Sequence, residues 1–183
     1  MRAVQLTTPG GPEVLAITEI DDPVPGPDEI LVDVAATSLN RADLLERMGL
    51  YNGPSEARGV PGLEFSGHVA ALGHRVTSWK IGDAVMGIVG GGGYATQLVI
   101  HERQAMRVPD GVSIVAAAGI CEVFITAWDA LVLQGGLTSG RRALVHAGAS
   151  GVGTASIQLC RALGARIAVT ASASKHDALR GLG

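Results

Sequence analysis

Residues 141–171 read RRALVHAGASGVGTASIQLCRALGARIAVTA, and this stretch decides the fold. RRALVH is a short apolar run of the kind a buried strand needs. GASGVG is a turn, GTASIQLCRALG has the length and spacing of a helix, and ARIAVTA is a second apolar run. Strand, helix and strand in that order make one βαβ unit, the start of a parallel sheet.

Gly148, Gly151 and Gly153 lie between the first predicted strand and the helix, the context of a dinucleotide fingerprint. The helix N-terminus presents free backbone N–H groups and the positive end of the helix dipole, and both favour a pyrophosphate. Ser150 stands where the second glycine usually sits. Its Cβ crowds a close backbone approach, whereas its hydroxyl can donate to a phosphate. A tight turn with no ligand is the rival reading. In NAD-binding proteins the second strand usually ends in Asp or Glu, which accepts from the ribose 2′-OH. Here Thr170 occupies about that place, and Lys175 follows in VTASASKHD. A carboxylate repels a 2′-phosphate, while hydroxyls and an ammonium accept one, so NADPH is the expected cofactor. The plainer alternative makes Lys175 a solvated residue at a helix start.

Upstream, the first hundred residues read as short strands separated by turns. RAVQL, VLAITEI, EILVDVAATSL, SGHVAALG, DAVMGIV and YATQLVI are strand candidates, and EILVDVAATSL is the strongest. Four consecutive glycines at 90–93 mark a loop that few other residues can form. NRADLLERMG is a helix with Asn40 as N-cap and Gly49 as stop. Many short strands with one helix suggest a partly closed β-barrel or a small sandwich. After Pro109 the pattern changes to PDGVSIVAAAG, a turn into a helix capped by Ser113, and then CEVFITAWDALVLQGG, a helix ended by Gly135 and Gly136.

The totals narrow the classes. With 47% hydrophobic and 17% charged residues the chain has the composition of a globular domain. A net charge of −3 gives no reason to expect nucleic acid or an anionic membrane as partner. The longest apolar stretch, SIVAAAGICEVFITAW, is interrupted by Glu122, and the N-terminus lacks the apolar core of a signal peptide. Cytoplasm is the default location. The two cysteines, Cys121 and Cys160, are too few for a disulfide framework or a Cys-rich zinc site.

Five stretches together carry a resemblance: LNRADLLERMGLYNGP, GLEFSGHVAALG, WKIGDAVMGIVGGGGYATQ, ITAWDAL and LVHAGASGVGTASIQLCRALGA. The chain resembles the zeta-crystallin-like quinone oxidoreductases of the medium-chain dehydrogenase/reductase superfamily. The match runs from the first strand to the last residue, and Gln158 and Arg161 stand at the family's spacing after the glycines. The resemblance implies an α/β fold, with a GroES-like β-barrel catalytic domain (1–122) followed by the first βαβ unit of a Rossmann domain (123–183). It implies hydride transfer from NADPH to a quinone or another activated alkene or carbonyl. An enoyl-thioester reductase on the same scaffold is the nearest enzyme alternative, and an inert binding or structural protein is a third reading.

Zinc-dependent relatives place a Cys where this chain has Asn40, and a His where Leu63 precedes Glu64. Their four-Cys structural lobe corresponds here to MGIVGGGGYATQ. An amide and an alkyl side chain are poor zinc ligands, so no metal is expected. By position in the family, Tyr51 and Asn40 orient and polarise the acceptor, and Thr126 contacts the nicotinamide. The expected cofactor-binding set is completed by Gly148, Ser150, Gly151, Val152, Gly153, Ser172 and Lys175. Each has a plainer reading. Asn40 also serves as a helix cap and Tyr51 as a turn aromatic beside NGP. Glu64 suits a buried partner of an Arg or a backbone N–H, Asp43 the first turn of a helix, and Thr126 packing. His146 either touches cofactor or finishes its strand, and Cys160 falls on a core face.

Only the first two strands of a dinucleotide sheet are visible, so a portion of a longer enzyme is expected. In that reading residues 1 to about 110 fold, the remainder is loosely held, and NADPH binds this chain weakly on its own. The complete family member is expected to be a homodimer or homotetramer.

Overall fold

The computed structural model describes residues 1–51 and 59–183. The NGP triplet beside Tyr51 lies outside the described residues. The chain divides into two compact units, Met1–Cys121 and Glu122–Gly183.

In the first unit, β1 (Arg2–Leu6) and β2 (Leu15–Glu19) form an antiparallel hairpin. The main sheet contains β3 (Glu29–Thr37), β4 (Glu64–Leu72), β5 (Ala84–Ile88), β6 (Gln97–His101) and the two-residue β7 (Met106–Arg107). Its order is β6-β3-β4-β5-β7, and every pairing is antiparallel. Alternation along EILVDVAAT places Ile30 and Val32 inside, while Asp33 faces out. Two register shifts against β4, at Leu31/Val32 and Val34/Ala36, bend β3. A single bridge, Ala3 to Ala95, ties the hairpin to the segment before β6. The first unit thus holds a five-stranded antiparallel sheet and a hairpin joined to it through that bridge.

Ile30, Val32, Phe65, Val69, Trp79, Val85, Leu98 and Ile100 make the core of the first unit. Each such side chain contributes on the order of 1.5–3 kcal/mol when buried, which makes this cluster the main source of the unit's stability. A second cluster joins Met86 to Ala117 and Cys121. Helix α1 (Arg41–Arg47) begins at Asn40 and ends before Gly49, whose φ is +71°. Helix α2 (Ile114–Ala117) is capped by Ser113, whose hydroxyl oxygen accepts from Ala116 N–H at 3.2 Å. In the glycine run, Gly91 and Gly92 take φ values of +136° and +90°, which side chains rarely tolerate.

The second unit starts within α3 (Cys121–Trp128). The sequence predicts one continuous helix to Gly135, but residues Asp129–Gln134 wind as a wider π-turn. Gln134 Nε2 donates to Asp129 Oδ2 across that turn, five residues apart. Strands β8 (Arg142–Val145) and β9 (Arg166–Val169) pair in parallel, joined by α4 (Gly151–Ala162). The buried face of α4 carries Gly153, Ala155, Ser156, Ile157 and Cys160. A short α5 (His176–Arg180) follows, which the pattern of apolar residues does not mark. Among the described residues no helix is long and apolar enough to cross a membrane.

Candidate functional site

The sequence points to two sets of residues, one in each unit. In the first unit, Asn40 stands at the start of α1. Asn40 takes an extended conformation (φ −104°, ψ 155°), so its own N–H falls outside the helix. That N–H donates to Asp43 Oδ2 at 2.6 Å, the return arm of a capping box. The Asn40 side chain completes the box by accepting from the Asp43 N–H, and its amide nitrogen turns inward. Its Nδ2 donates to Glu64 Oε1 at 2.8 Å and to Ser38 Oγ at 3.2 Å. The Ser38 hydroxyl in turn donates to the same Glu64 oxygen. Glu64, at the first position of β4, is 1% exposed. Thr37 fixes its backbone by donating Oγ1–H to the Glu64 carbonyl at 2.7 Å. The partner expected for Glu64 was an Arg or a backbone N–H; these hydrogen bonds come from Ser38 and Asn40 side chains.

One member of this network carries no motif. Tyr94, after the glycine run, donates its hydroxyl to Asp43 Oδ2 at 2.8 Å. Its backbone is held by N–H donation to the Pro61 carbonyl at 2.9 Å and by acceptance from Val4 N–H at 2.8 Å. The cue was available in retrospect: a glycine loop that ends in a lone aromatic delivers that aromatic somewhere. Asp43 is buried, and its Oδ1 has no hydrogen-bond partner among the described residues. Burial, more than the nearby Glu64 charge, raises the Asp43 pKa above the ordinary carboxylate range, against the donors from Asn40 and Tyr94. Burial and the adjacent Asp43 hold the Tyr94 phenol far above its usual range. Cys121 is buried too, and burial with Glu64 nearby pushes its thiol up to about 12.

Tyr51 is 37% exposed and makes none of these hydrogen bonds. Both amide protons of Asn40 are committed to Glu64 and Ser38, which leaves none on Nδ2 for a ligand.

In the second unit the β8–α4 turn is tightly built. A Cβ at Gly153 would lie 2.6 Å from the Ala147 and Gly148 carbonyl oxygens, and one at Gly148 would lie 2.5 Å from Val169 Cβ. Both glycines are therefore required by packing. Ser150 caps α4, its Oγ accepting from Gly153 N–H at 3.0 Å. The hydroxyl spends a lone pair there and keeps its proton. Gly151 and Val152, in the first turn, have N–H groups with no intrahelical acceptor. This turn suits an anion: two backbone donors, one hydroxyl donor and a helix N-terminus converge. The second unit also carries six Lys and Arg against three Asp and Glu, a cationic balance in a chain that is anionic as a whole.

Thr170, just past β9 at about the place of the NAD-type acid, is engaged by residues of the glycine turn. Oγ1 lies 3.1 Å from His146 Nδ1 and 3.3 Å from Ala147 N, and the Thr170 carbonyl accepts from Gly148 N–H at 2.9 Å. Ser172 and Lys175 flank a short 3₁₀ turn, with Ser172 as its N-cap and Lys175 exposed. Thr126 lies on the exposed side of α3, its hydroxyl 3.5 Å from Glu122 Oε1. Among the described residues no three His, Cys, Asp or Glu side chains group as a metal site.

Residues 26–110 match the alcohol dehydrogenase GroES-like domain. The chain is 37% identical over 181 residues to a mycocerosic acid synthase-like polyketide synthase of Mycobacterium tuberculosis (strain ATCC 25618 / H37Rv), covering 98% of this chain and 9% of that protein. Among solved structures, the human synaptic vesicle membrane protein VAT-1 homolog-like protein superposes with a TM-score of 0.92 at 36% identity, over all of this chain and 59% of that one. The CurK enoyl reductase gives 0.91 at 30% identity, over 57% of its chain. The Escherichia coli quinone oxidoreductase complexed with NADPH gives 0.90 at 30% identity, over 56% of its chain. The chain thus spans less than two thirds of each of these proteins.

Proposed function

From a chain whose residues 26–110 carry an alcohol dehydrogenase GroES-like domain, and whose fold is that of the medium-chain dehydrogenase/reductase oxidoreductases, we propose an NADPH-dependent, zinc-independent reductase. Its acceptor is a quinone or another activated alkene or carbonyl. The observation that carries the reading is the Ser150-capped turn, which gathers the Gly151 and Val152 N–H groups and a hydroxyl proton at one helix N-terminus. NADPH, when bound, supplies the hydride. Gly148 and Gly153 keep the turn compact, and Gly151, Val152 and Ser150 hold phosphate oxygens. Ser172 and Lys175 receive the 2′-phosphate, and Thr126 lies against the nicotinamide.

An acceptor that is already electrophilic needs orientation, exclusion of water and a donor for its developing oxyanion. Tyr51 has the hydroxyl for that donation. Asn40, whose amide protons point to Glu64 and Ser38, acts as a positioning residue that fixes the start of α1. The same contacts support zinc independence: the amide at position 40 and the Glu64 carboxylate are engaged with each other, and Leu63 offers no ligand atom. A cytoplasmic homodimer or homotetramer completes the proposal.

A second reading, an enoyl-thioester reductase, is favoured by the likeness to the CurK enoyl reductase and to a polyketide synthase. NADPH oxidation by the natural polypeptide that carries these residues, compared with an ortho-quinone and with crotonyl-CoA, separates the two. Turnover of the quinone supports the first reading; turnover of the thioester alone replaces it with the second. Unchanged quinone turnover in Tyr51→Phe removes Tyr51 from the mechanism.

A further inference from the structure

Three consecutive residues of the glycine turn are tied to one residue across the sheet. His146, Ala147 and Gly148 all bond Thr170, two through its hydroxyl and one through its carbonyl. Thr170 N–H returns to the Val145 carbonyl at 3.1 Å. Between the tied residues, Ala147 sits at φ +54°, the one non-glycine residue with positive φ among the described residues. A side chain in that conformation costs about 1–2 kcal/mol, so its neighbours must hold it there. The two ends of β8 and β9 thus form a built corner at the carboxyl edge of a parallel sheet, where ligands of such sheets bind.

The hydrogen bonds of this corner anchor the imidazole ring at Nδ1. Thr170 Oγ1 accepts from Ala147 N–H, and its one proton is then available to His146 Nδ1. An Nδ1 that accepts leaves the ring proton on Nε2. His146 is exposed, so this second N–H faces outward from the fold. We infer that His146 is a ligand-binding residue: with its ring held in place by Thr170 at Nδ1, its Nε2–H donates to the 2′-phosphate on the adenosine ribose of the dinucleotide. This rests on the reading of the turn as a dinucleotide site. It gives Thr170 a positioning role, and it adds a donor to those offered by Ser172 and Lys175.

The test is calorimetric titration of the natural polypeptide carrying these residues with adenosine 2′,5′-bisphosphate and with 5′-AMP. His146→Asn keeps a polar atom at the reach of Nδ1, and so the Thr170 contact, but has nothing at Nε2. Thr170→Val removes the hydroxyl, and Thr170→Ser restores it. The expected result is about a tenfold loss of bisphosphate affinity in His146→Asn and Thr170→Val, the size of one charge-assisted hydrogen bond. 5′-AMP affinity should change less than about threefold, and Thr170→Ser should bind as the wild type does. Parallel loss of both ligands would mean a purely structural corner and overturns the inference. Unchanged bisphosphate binding in His146→Asn also overturns it, while leaving the dinucleotide reading in place. A wild type that binds neither ligand removes both.

Discussion

The Tyr94 hydroxyl and the Asp43 carboxylate, 51 residues apart in sequence, meet at 2.8 Å beneath the first turn of α1. The bond links the glycine run to the helix that Asn40 begins. Tyr94→Phe removes one of the donors to Asp43 Oδ2 and leaves the Asn40 N–H in place. The expected cost is about 1–3 kcal/mol in denaturant unfolding, since the acceptor is a buried carboxylate. A midpoint identical to that of the wild type would show that the bond contributes nothing.

Asp43 also gives a pH signature. Burial raises its folded pKa above the unfolded value, so the folded chain holds this proton more tightly. The contribution is complete below the ordinary aspartate range and is lost as pH rises through the raised folded value. Asp43→Asn cannot titrate. The stability of the wild type relative to Asp43→Asn should therefore fall as pH rises through that window. Denaturant titrations at several acidic pH values measure it, and a difference that climbs with pH contradicts the assignment.

The two glycines of the turn should differ in their tolerance of a methyl group. At Gly153 a Cβ meets backbone at 2.6 Å, whereas at Gly151 it meets the Val123 Cγ1 methyl at 2.8 Å. Backbone cannot yield as a side chain can. Gly153→Ala is expected to lose about 1–3 kcal/mol and Gly151→Ala distinctly less, compared by thermal unfolding. The reverse order would mean that the turn is not packed as described.

Ala147 predicts a gain. Its left-handed conformation costs about 1–2 kcal/mol, more than the extra unfolded-chain entropy that a glycine brings, roughly 0.5–1 kcal/mol. Ala147→Gly should raise the melting temperature slightly, and Ala147→Val should lower it. A drop in both would assign the position another conformation.

Cys121 should be inert while the chain is folded. A buried thiol pushed up to about 12 carries almost no thiolate at neutral pH. Iodoacetamide should label it only after denaturant is added, as read by mass spectrometry. Rapid labelling of Cys121 in native protein would refute its burial.

Much of the architecture was legible because local patterns specify it. β-branched content marked β3, Asn40 and Ser113 marked helix starts, and Gly49, Gly135 and Gly136 marked helix stops. The βαβ order and its glycine turn were readable for the same reason: strand, turn and helix chemistry is short-range. The π-turn at Asp129–Gln134 was not, since α and π winding use the same residues and differ in which carbonyl each N–H selects.

What the sequence determined by itself was a set of elements, and a turn suited to phosphate whose cap and glycines lie within six residues. What only the tertiary structure decided was which polar groups are already spent. Asn40 reads as a free amide until Glu64, 24 residues away, takes its proton. Thr170 reads as a free hydroxyl at the end of the second strand until folding brings His146 and Ala147 to its Oγ1. Hydrogen bonds saturate, and whether a donor is left for a ligand depends on neighbours that the chain brings near only by folding.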